Sequence, residues 1–408
     1  MRVYITRQLE QTVIKASGQY PVVMVCGQRQ TGKSTMLRHI STDERRYVTF
    51  DDYRARSLAR NDPEQFFEYY GHKLFIDEFQ RVPEILLEIK KIVDEAQYGG
   101  GASGMFWLSG SQKFEMMKNI TETLAGRTAI FSLLPLSCAE TEGRPPECFL
   151  PEIEALRLKP CRGQTVAEIF DKIFMGGLPQ LVTHPEMDRD VYYSSYISTY
   201  IERDIAALEQ VGKLEEFRAF MIYLAANTAQ ELKYDSAAKV VGVSAPTIKE
   251  WVSILVRSGI IYLLKPYSSN ISKRLVKTPK CYFLDTGLAA YLTSWPGAQT
   301  LMNGSAAGAF FETYVVAEIL KSYYNAGKEP PVYYYRDTDK REVDLLIKQG
   351  DRLYPIEIKT AKNPQNADKN FDALDKLGLK VCPGLIICSA NEMYPVSKRA
   401  WLCPVSLI

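Results

Sequence analysis

The chain has 408 residues, too many for one small core, so two or three domains are expected. Its 46% hydrophobic and 24% charged content is that of folded globular protein, and 50 basic against 48 acidic residues leave a net charge of +2. That balance excludes a polycation coating nucleic acid and confines any such contact to a local patch.

The opening MRVYITRQLEQTVIK has no apolar stretch after its basic residue, and no window approaches 18 consecutive apolar residues. Neither a signal peptide nor a membrane span is expected, and a cytoplasmic location is. Eight cysteines, at positions 26, 138, 148, 161, 281, 382, 388 and 403, lie without CxxC spacing beside only three histidines. They read as reduced thiols, with no zinc or disulfide framework expected.

The run YPVVMVCGQRQTGKSTMLRHI passes from an apolar strand, Val22 to Cys26, through a loop into a helix starting near Lys33. The loop has GxxxxGKS spacing over Gly27, Gln28, Arg29, Gln30, Thr31, Gly32, Lys33 and Ser34, with Thr35 following. Its backbone N–H groups can wrap a β-phosphate, and glycine is needed where the wrap is tightest. Lys33 then faces the β- and γ-phosphates, and the Ser34 hydroxyl can ligate Mg²⁺, so ATP and Mg²⁺ are the expected ligands. A second strand, KLFIDEFQ, ends on the acidic pair Asp77 and Glu78. Asp77 is expected to hold Mg²⁺ through water, and Glu78 to polarise the water attacking the γ-phosphate. A third strand, GMFWLSGSQ, closes on Ser111 and Gln112, either of which could touch the γ-phosphate. Beyond it, TETLAGRTAIF carries Arg127, which reads either as an arginine finger acting on its own or a neighbour's nucleotide, implying a homo-oligomer, or as a plain surface arginine.

With these motifs, CGQRQTGKST, LFIDEFQ, WLSGSQ and LAGRT, the chain resembles the AAA-type ATPases of bacteria and archaea that carry a C-terminal domain of unknown function. The resemblance continues through FMGGLPQL, YISTYIERDI, YFLDTGLAAYL and REVDLLI. It implies an ASCE-type parallel sheet and ATP with Mg²⁺ at Lys33, Ser34, Asp77 and Glu78.

From about Leu133 to Thr165, Pro135, Gly143, Pro145, Pro146, Pro151 and Pro160 interrupt any long periodic pattern, so the ATPase core is expected to end there. Helices should follow over AEIFDKIFMGGLPQLV and RDVYYSSYISTYIERDIAALEQV, the tyrosines of the second largely facing a core. The segment YDSAAKVVGVSAPTIKEWVSILVRSGIIYLLKPY has the rhythm of a helix-turn-helix with a wing. Asp235 is expected to cap the first helix, Gly242 to end it and Ser244 to cap the second. The second helix opens on Ala245, Pro246, Thr247, Ile248, Lys249 and Glu250, a poor set for reading bases, so packing or partner contact is favoured over sequence recognition. Then Lys265, Lys273, Arg274, Lys277 and Lys280, with Tyr267 among them, form either a stripe that follows a phosphate backbone or a solvated connection.

In GAFFETYVVAEILKSYYNA, Phe311, Val315, Val316 and Ile319 form one helix face. Glu312 points to that apolar side, while Glu318 and Lys321 are expected to point away. In REVDLLIKQGDRLYPIEIKT, a two-residue turn at Gly350 and Asp351 sets Gln349 against Arg352 and, counting back, Asp344 against Glu357. Facing carboxylates repel, and a divalent cation would turn that repulsion into a site, with Lys359 on the same face. Pro355 could shift this register with a bulge, and the bland alternative is an edge hairpin whose charges face water.

An Asp followed by Glu-x-Lys on adjacent strands, after a helix carrying Glu, resembles the PD-(D/E)xK nuclease fold, including Holliday-junction-resolvase-like members; Val343 stands where that fold often has proline. The resemblance implies that Asp344 and Glu357 bind Mg²⁺, that Lys359 steadies the attacking water or transition-state charge, and that Glu312 completes the metal shell. The expected α/β architecture is therefore a P-loop parallel-sheet ATPase domain over 1–160, a helical and winged-helix middle over 161–285, and a restriction-endonuclease-like domain over 286–408. The expected function is Mg²⁺-dependent ATP hydrolysis coupled to a nuclease-like domain that cuts or binds DNA. The alternative is an ATP-driven switch whose last domain only docks a protein or nucleic acid.

Overall fold

The computed structural model describes residues 4–99, 101–110, 123–201, 213–268 and 278–408. Contacts divide the chain into two compact units. The first comprises Met1–Glu147 with Arg257–Gly259 and Tyr323–Lys328; the second comprises Cys148–Val256, Ile260–Ser322 and Glu329–Ile408.

In the first unit, β1 (Val22–Cys26), β2 (Arg46–Thr49), β3 (Leu74–Asp77), β4 (Phe106–Gly110) and β5 (Thr128–Ser132) form an all-parallel sheet in the order β2-β3-β4-β1-β5. An unbroken apolar run such as VVMVC suits a central parallel strand, because both of its faces are covered. Alternation along β1 sends Val22, Met24 and Cys26 into one core layer with Ile76 and Leu108, and Val23 and Val25 into the other with Phe75 and Trp107. The helix Ile85–Tyr98 covers the first layer with Ile85, Leu86, Ile89, Ile92 and Val93, spaced at the helical period. This is the parallel P-loop sheet expected from the sequence, with β1 and β3 separated by β4.

The second unit holds two sheets. β6 (Gln230–Glu231), β7 (Ile261–Leu264) and β8 (Lys280–Phe283) are antiparallel, in the order β6-β8-β7. Before β7 come the helices Leu214–Ala226, Tyr234–Val241 and Ala245–Arg257, with Trp251 buried edge-on against Phe217, ring centroids 5.2 Å apart. Gly242 ends the second of these helices in the left-handed region at φ 81°, and the Ser244 hydroxyl accepts from Thr247 N at 3.3 Å. Asp235 is not the cap expected from the sequence. The helix begins at Tyr234, two residues earlier than a cap at Asp235 would set it, with Lys233 at the cap, so Asp235 falls in the first turn. Tyr192, Tyr193 and Tyr196 of the helix Arg189–Tyr196 are buried. Asp285 is buried beside them, accepting from Tyr193 Oη at 2.8 Å, Gly177 N at 2.7 Å and Leu288 N at 2.8 Å.

The helix Ala307–Asn325 leads into a sheet of β9 (Val332–Arg336), β10 (Glu342–Gln349), β11 (Arg352–Ile358), β12 (Lys380–Val381), β13 (Gly384–Cys388), β14 (Tyr394–Pro395) and β15 (Ala400–Pro404). The order is β14-β15-β13-β11-β10-β9, with β12 beside β11. β9, β10 and β11 pair antiparallel, whereas β13 joins β11 in parallel and β15 joins β13 in parallel. The β10–β11 register runs unbroken from Gln349 and Arg352 to Leu345 and Ile356, passing through Pro355. The irregularity lies instead on the other edge of β10, between Val343 and Leu346. None of the eight cysteines is joined in a disulfide, and Cys26, Cys281, Cys388 and Cys403 are buried in strands.

Candidate functional site

The loop from β1 to the helix Lys33–His39 brings together the motif residues of the first unit. Gly27 (φ 145°) and Gly32 (φ 87°) hold conformations that side-chain-bearing residues rarely adopt. A Cβ on Gly27 would stand 2.2 Å from the Leu133 carbonyl oxygen, so the close pass of loop against strand end requires glycine. Lys33 is buried and donates from Nζ to the carbonyls of Gly27 (3.0 Å) and Gln28 (2.8 Å). Burial pushes its ammonium down to about 8, and Glu78 opposes that shift.

Ser34 Oγ donates to Asp77 Oδ1 at 2.8 Å. Asp77, at the buried end of β3, also accepts from Tyr47 Oη at 3.2 Å and from Ser109 Oγ. Glu78 follows in the left-handed region at φ 54° and is fixed by Gln80 Nε2. Burial pushes its carboxyl up, while Lys33 pulls it down. A hydroxyl and a carboxylate at hydrogen-bond distance, beside an ammonium and a second carboxylate, are groups of the kind that can bind a divalent cation and phosphate oxygens. Ser109 and Tyr47 were not singled out in the sequence. A polar residue inside the apolar run FWLSG was the only signal for Ser109.

Ser111 and Gln112 lie outside the described residues. Arg127 is engaged within its own chain, donating to Asp94 Oδ1 at 2.5 Å and to the Ala125 carbonyl at 3.1 Å.

In the second unit, continuing the β10–β11 register by one step sets Asp344 opposite Glu357, and both are buried. Lys359 Nζ reaches Asp344 Oδ2 at 3.1 Å and Glu357 Oε2 at 2.7 Å, and Ile358 N donates to Asp344 at 2.9 Å. Burial first and the Asp344 carboxylate second push Glu357 up to about 9. Asp344 goes the other way: burial opposes its ionisation, but Lys359 and Lys280 hold it below the usual range.

Glu312 is occupied differently. It accepts from Tyr282 Oη at 2.7 Å and from Lys280 Nζ at 3.3 Å, and burial pushes it up to about 7 with Lys280 opposing and Asp344 adding. Lys280 also contacts Glu342 at 2.6 Å. Among the described residues, no group of three or more His, Cys, Asp or Glu side chains is placed to hold a metal ion. Glu312 is thus engaged by Tyr282 and Lys280, and the expected three-carboxylate shell is not assembled among the described residues.

Lys280, only 4% exposed, does not belong to a surface basic stripe, and Tyr267 is a core residue beside Tyr335 and Val343. Lys265 is exposed, while Lys273, Arg274 and Lys277 lie outside the described residues. Glu318 and Lys321 do not point to solvent as expected: both are buried and pair with each other at 2.7 Å.

Three family models match the chain. Residues 19–142 match the AAA domain, 167–299 match a domain of unknown function (DUF8612), and 307–408 match another domain of unknown function (DUF4143). Two mycobacterial relatives, the uncharacterized proteins Mb2031c of Mycobacterium bovis and Rv2008c of Mycobacterium tuberculosis, are each 26% identical over 393 residues, covering 95% of this chain and 81% of theirs. The Walker-type ATPase PABY2304 of Pyrococcus abyssi is similar at a TM-score of 0.42 and 12% identity, over 71% of this chain and 96% of that one. The Aeropyrum pernix ORC1 protein in complex with DNA gives 0.28 and 13%, over 74% and 95%. Structural likenesses at this level carry no inference. Among the described residues, no helix is long and apolar enough to cross a membrane. The sheet order and the phosphate-binding loop give the first unit a parallel-sheet P-loop fold, and residues 19–142 within it match the AAA domain.

Proposed function

We propose that the chain binds ATP with Mg²⁺ and hydrolyses it in the first unit. The observation that carries this reading is the 2.8 Å contact of Ser34 with Asp77 next to the buried Lys33. Lys33 exchanges its two loop carbonyls for the β- and γ-phosphate oxygens, while loop N–H groups bind the β-phosphate. Ser34 would ligate the metal, and Asp77 would hold a water bound to it. Glu78, whose raised carboxyl is a stronger base than a free one, orients and deprotonates the attacking water. The chemistry Mg²⁺ would supply there is neutralisation of the charge developing on the phosphate oxygens. The test is phosphate release by purified protein. Lys33→Ala abolishes it in this account, and equal rates in wild type and variant would overturn the assignment.

The second unit supports a further reading through one observation, the bridge of Lys359 to both Asp344 and Glu357. We propose that these residues form a nuclease-like site acting on or binding DNA, within the segment 286–408. Asp344 and Glu357 would hold Mg²⁺ between them, and Lys359 would steady the transition-state charge. Glu312 would join only after release from Lys280. Plasmid, single-stranded DNA and RNA incubated with Mg²⁺ or Mn²⁺ test it: Asp344→Ala should remove cleavage and leave ATP turnover intact. Binding without cleavage by the wild type in every nucleotide state would make the domain a docking module driven by the ATPase.

A further inference from the structure

We infer that Arg7 is a positioning residue for nucleotide binding, holding the phosphate-binding loop in its binding shape from behind. This rests on the ATP-binding reading above. Arg7 is only 3% exposed, and each of its guanidinium nitrogens is committed. Nη1 donates to the Thr31 carbonyl at 2.7 Å, Nη2 to the Leu134 carbonyl at 2.7 Å, and Nε to Glu140 Oε1 at 2.8 Å. Glu140 is itself pinned, accepting from Gln8 N at 3.0 Å and Ser137 N at 2.9 Å. Gln8 is held in turn by Asn325 Nδ2 at 3.2 Å. The fork thus ties the loop to the segment after β5, whose Leu133 carbonyl already packs on Gly27.

The Thr31 carbonyl and the Gly32 N–H belong to one planar trans peptide and point in opposite directions. A guanidinium gripping that oxygen therefore fixes the N–H on the far side, where a β-phosphate sits in a loop of this type. It also polarises the peptide, strengthening that N–H as a donor. Gly32 is left-handed, so without the grip this peptide plane is among the easier ones in the loop to rotate. The β-phosphate is bound in ground state and transition state alike, so loss of the grip falls on affinity and KM, with little change in kcat.

The experiment uses the full chain, with MgADP binding followed by calorimetry and MgATP turnover measured alongside. Arg7→Met is expected to weaken MgADP and raise the KM for ATP at least tenfold while kcat stays within about threefold. Arg7→Lys keeps the charge beside Glu140 but loses the fork, and is expected to raise KM about threefold; it decides the matter should Arg7→Met fail to fold. A KM and MgADP affinity within twofold of wild type, whatever happens to the melting temperature, would reduce Arg7 to a structural brace and overturn the inference. So would a fall in kcat at unchanged KM. A wild type that binds no MgADP sinks the ATPase reading and this inference together, whereas a binding wild type with unchanged variants sinks this inference alone.

Discussion

Lys280→Met is predicted to destabilise the second unit in a pH-dependent way. Lys280 Nζ lies 2.6 Å from Glu342 and 3.3 Å from Glu312, and breaking a buried ion pair costs about 3–5 kcal/mol when the orphaned charge must stay ionised. Here it need not. Glu312 already sits near 7 with Lys280 present, so neutralising it costs about 1.4 kcal/mol at pH 8 and almost nothing at pH 6. Glu342 is 30% exposed and has Arg336 at 3.8 Å, so its share is about 1 kcal/mol. Asp344 keeps Lys359 and Ile358 N. The expected loss is about 2–3 kcal/mol at pH 8, shrinking to about 1 kcal/mol at pH 6. Urea unfolding followed by tryptophan fluorescence reads this unit well, because three of the four tryptophans, Trp251, Trp295 and Trp401, belong to it. An equal loss at both pH values would refute the reasoning, since Glu312 would then not be absorbing the change by taking a proton.

The same assay tests Glu312 directly. Its folded value near 7 stands above the ordinary 4.5, so between those values the folded state holds more protons than the unfolded one, and stability falls as pH rises through that window. Glu312→Gln is accordingly expected to raise stability at pH 8 by up to about 3 kcal/mol and to change little near pH 4; no gain at pH 8 would contradict the shift. Asp285→Ala leaves three donors, two of them buried, without this acceptor and should cost about 3–5 kcal/mol in denaturant unfolding, against less than 1 kcal/mol were the site able to relax. Gly27→Ala drives a Cβ onto the Leu133 carbonyl and should weaken MgATP binding by at least about tenfold in calorimetry, with unchanged binding the contrary result. Arg127→Ala removes an arginine held by Asp94, so turnover should change by less than about threefold; a loss of about a thousandfold would restore the arginine-finger role.

Much of the nucleotide site was legible because its chemistry is local. Nine consecutive residues define the loop, and an apolar strand ending on Asp77 and Glu78 supplies the acids. The partners of Asp77 were not legible: Ser109 and Tyr47 come from separate strands that only the parallel sheet brings together, and Arg7, behind the loop, comes from a third segment. The β10–β11 hairpin could be counted out from its turn because strand pairing has a strict period, and it brought Asp344 to Glu357 as counted. Helix faces were harder to read. In Ala307–Asn325, Glu318 and Lys321 look solvent-bound by spacing, yet they form a buried pair, because the surrounding fold covers more than the apolar stripe. Lys280 misled for the same reason, since its neighbours in sequence are basic while its neighbours in space are Glu312 and Glu342. Asp235 shows that a capping residue fixes a helix start only to within a residue or two.

In the proposed function, Glu78 is the base for MgATP cleavage in the first unit. Glu78→Gln keeps the side chain's size and its place beside Gln80 but removes its basicity. In paired measurements of MgATP affinity and single-turnover phosphate release, the variant should bind ATP within about threefold of wild type and release phosphate at least about a hundredfold more slowly. Phosphate release at the wild-type rate from the variant, or none from the wild type, would contradict it.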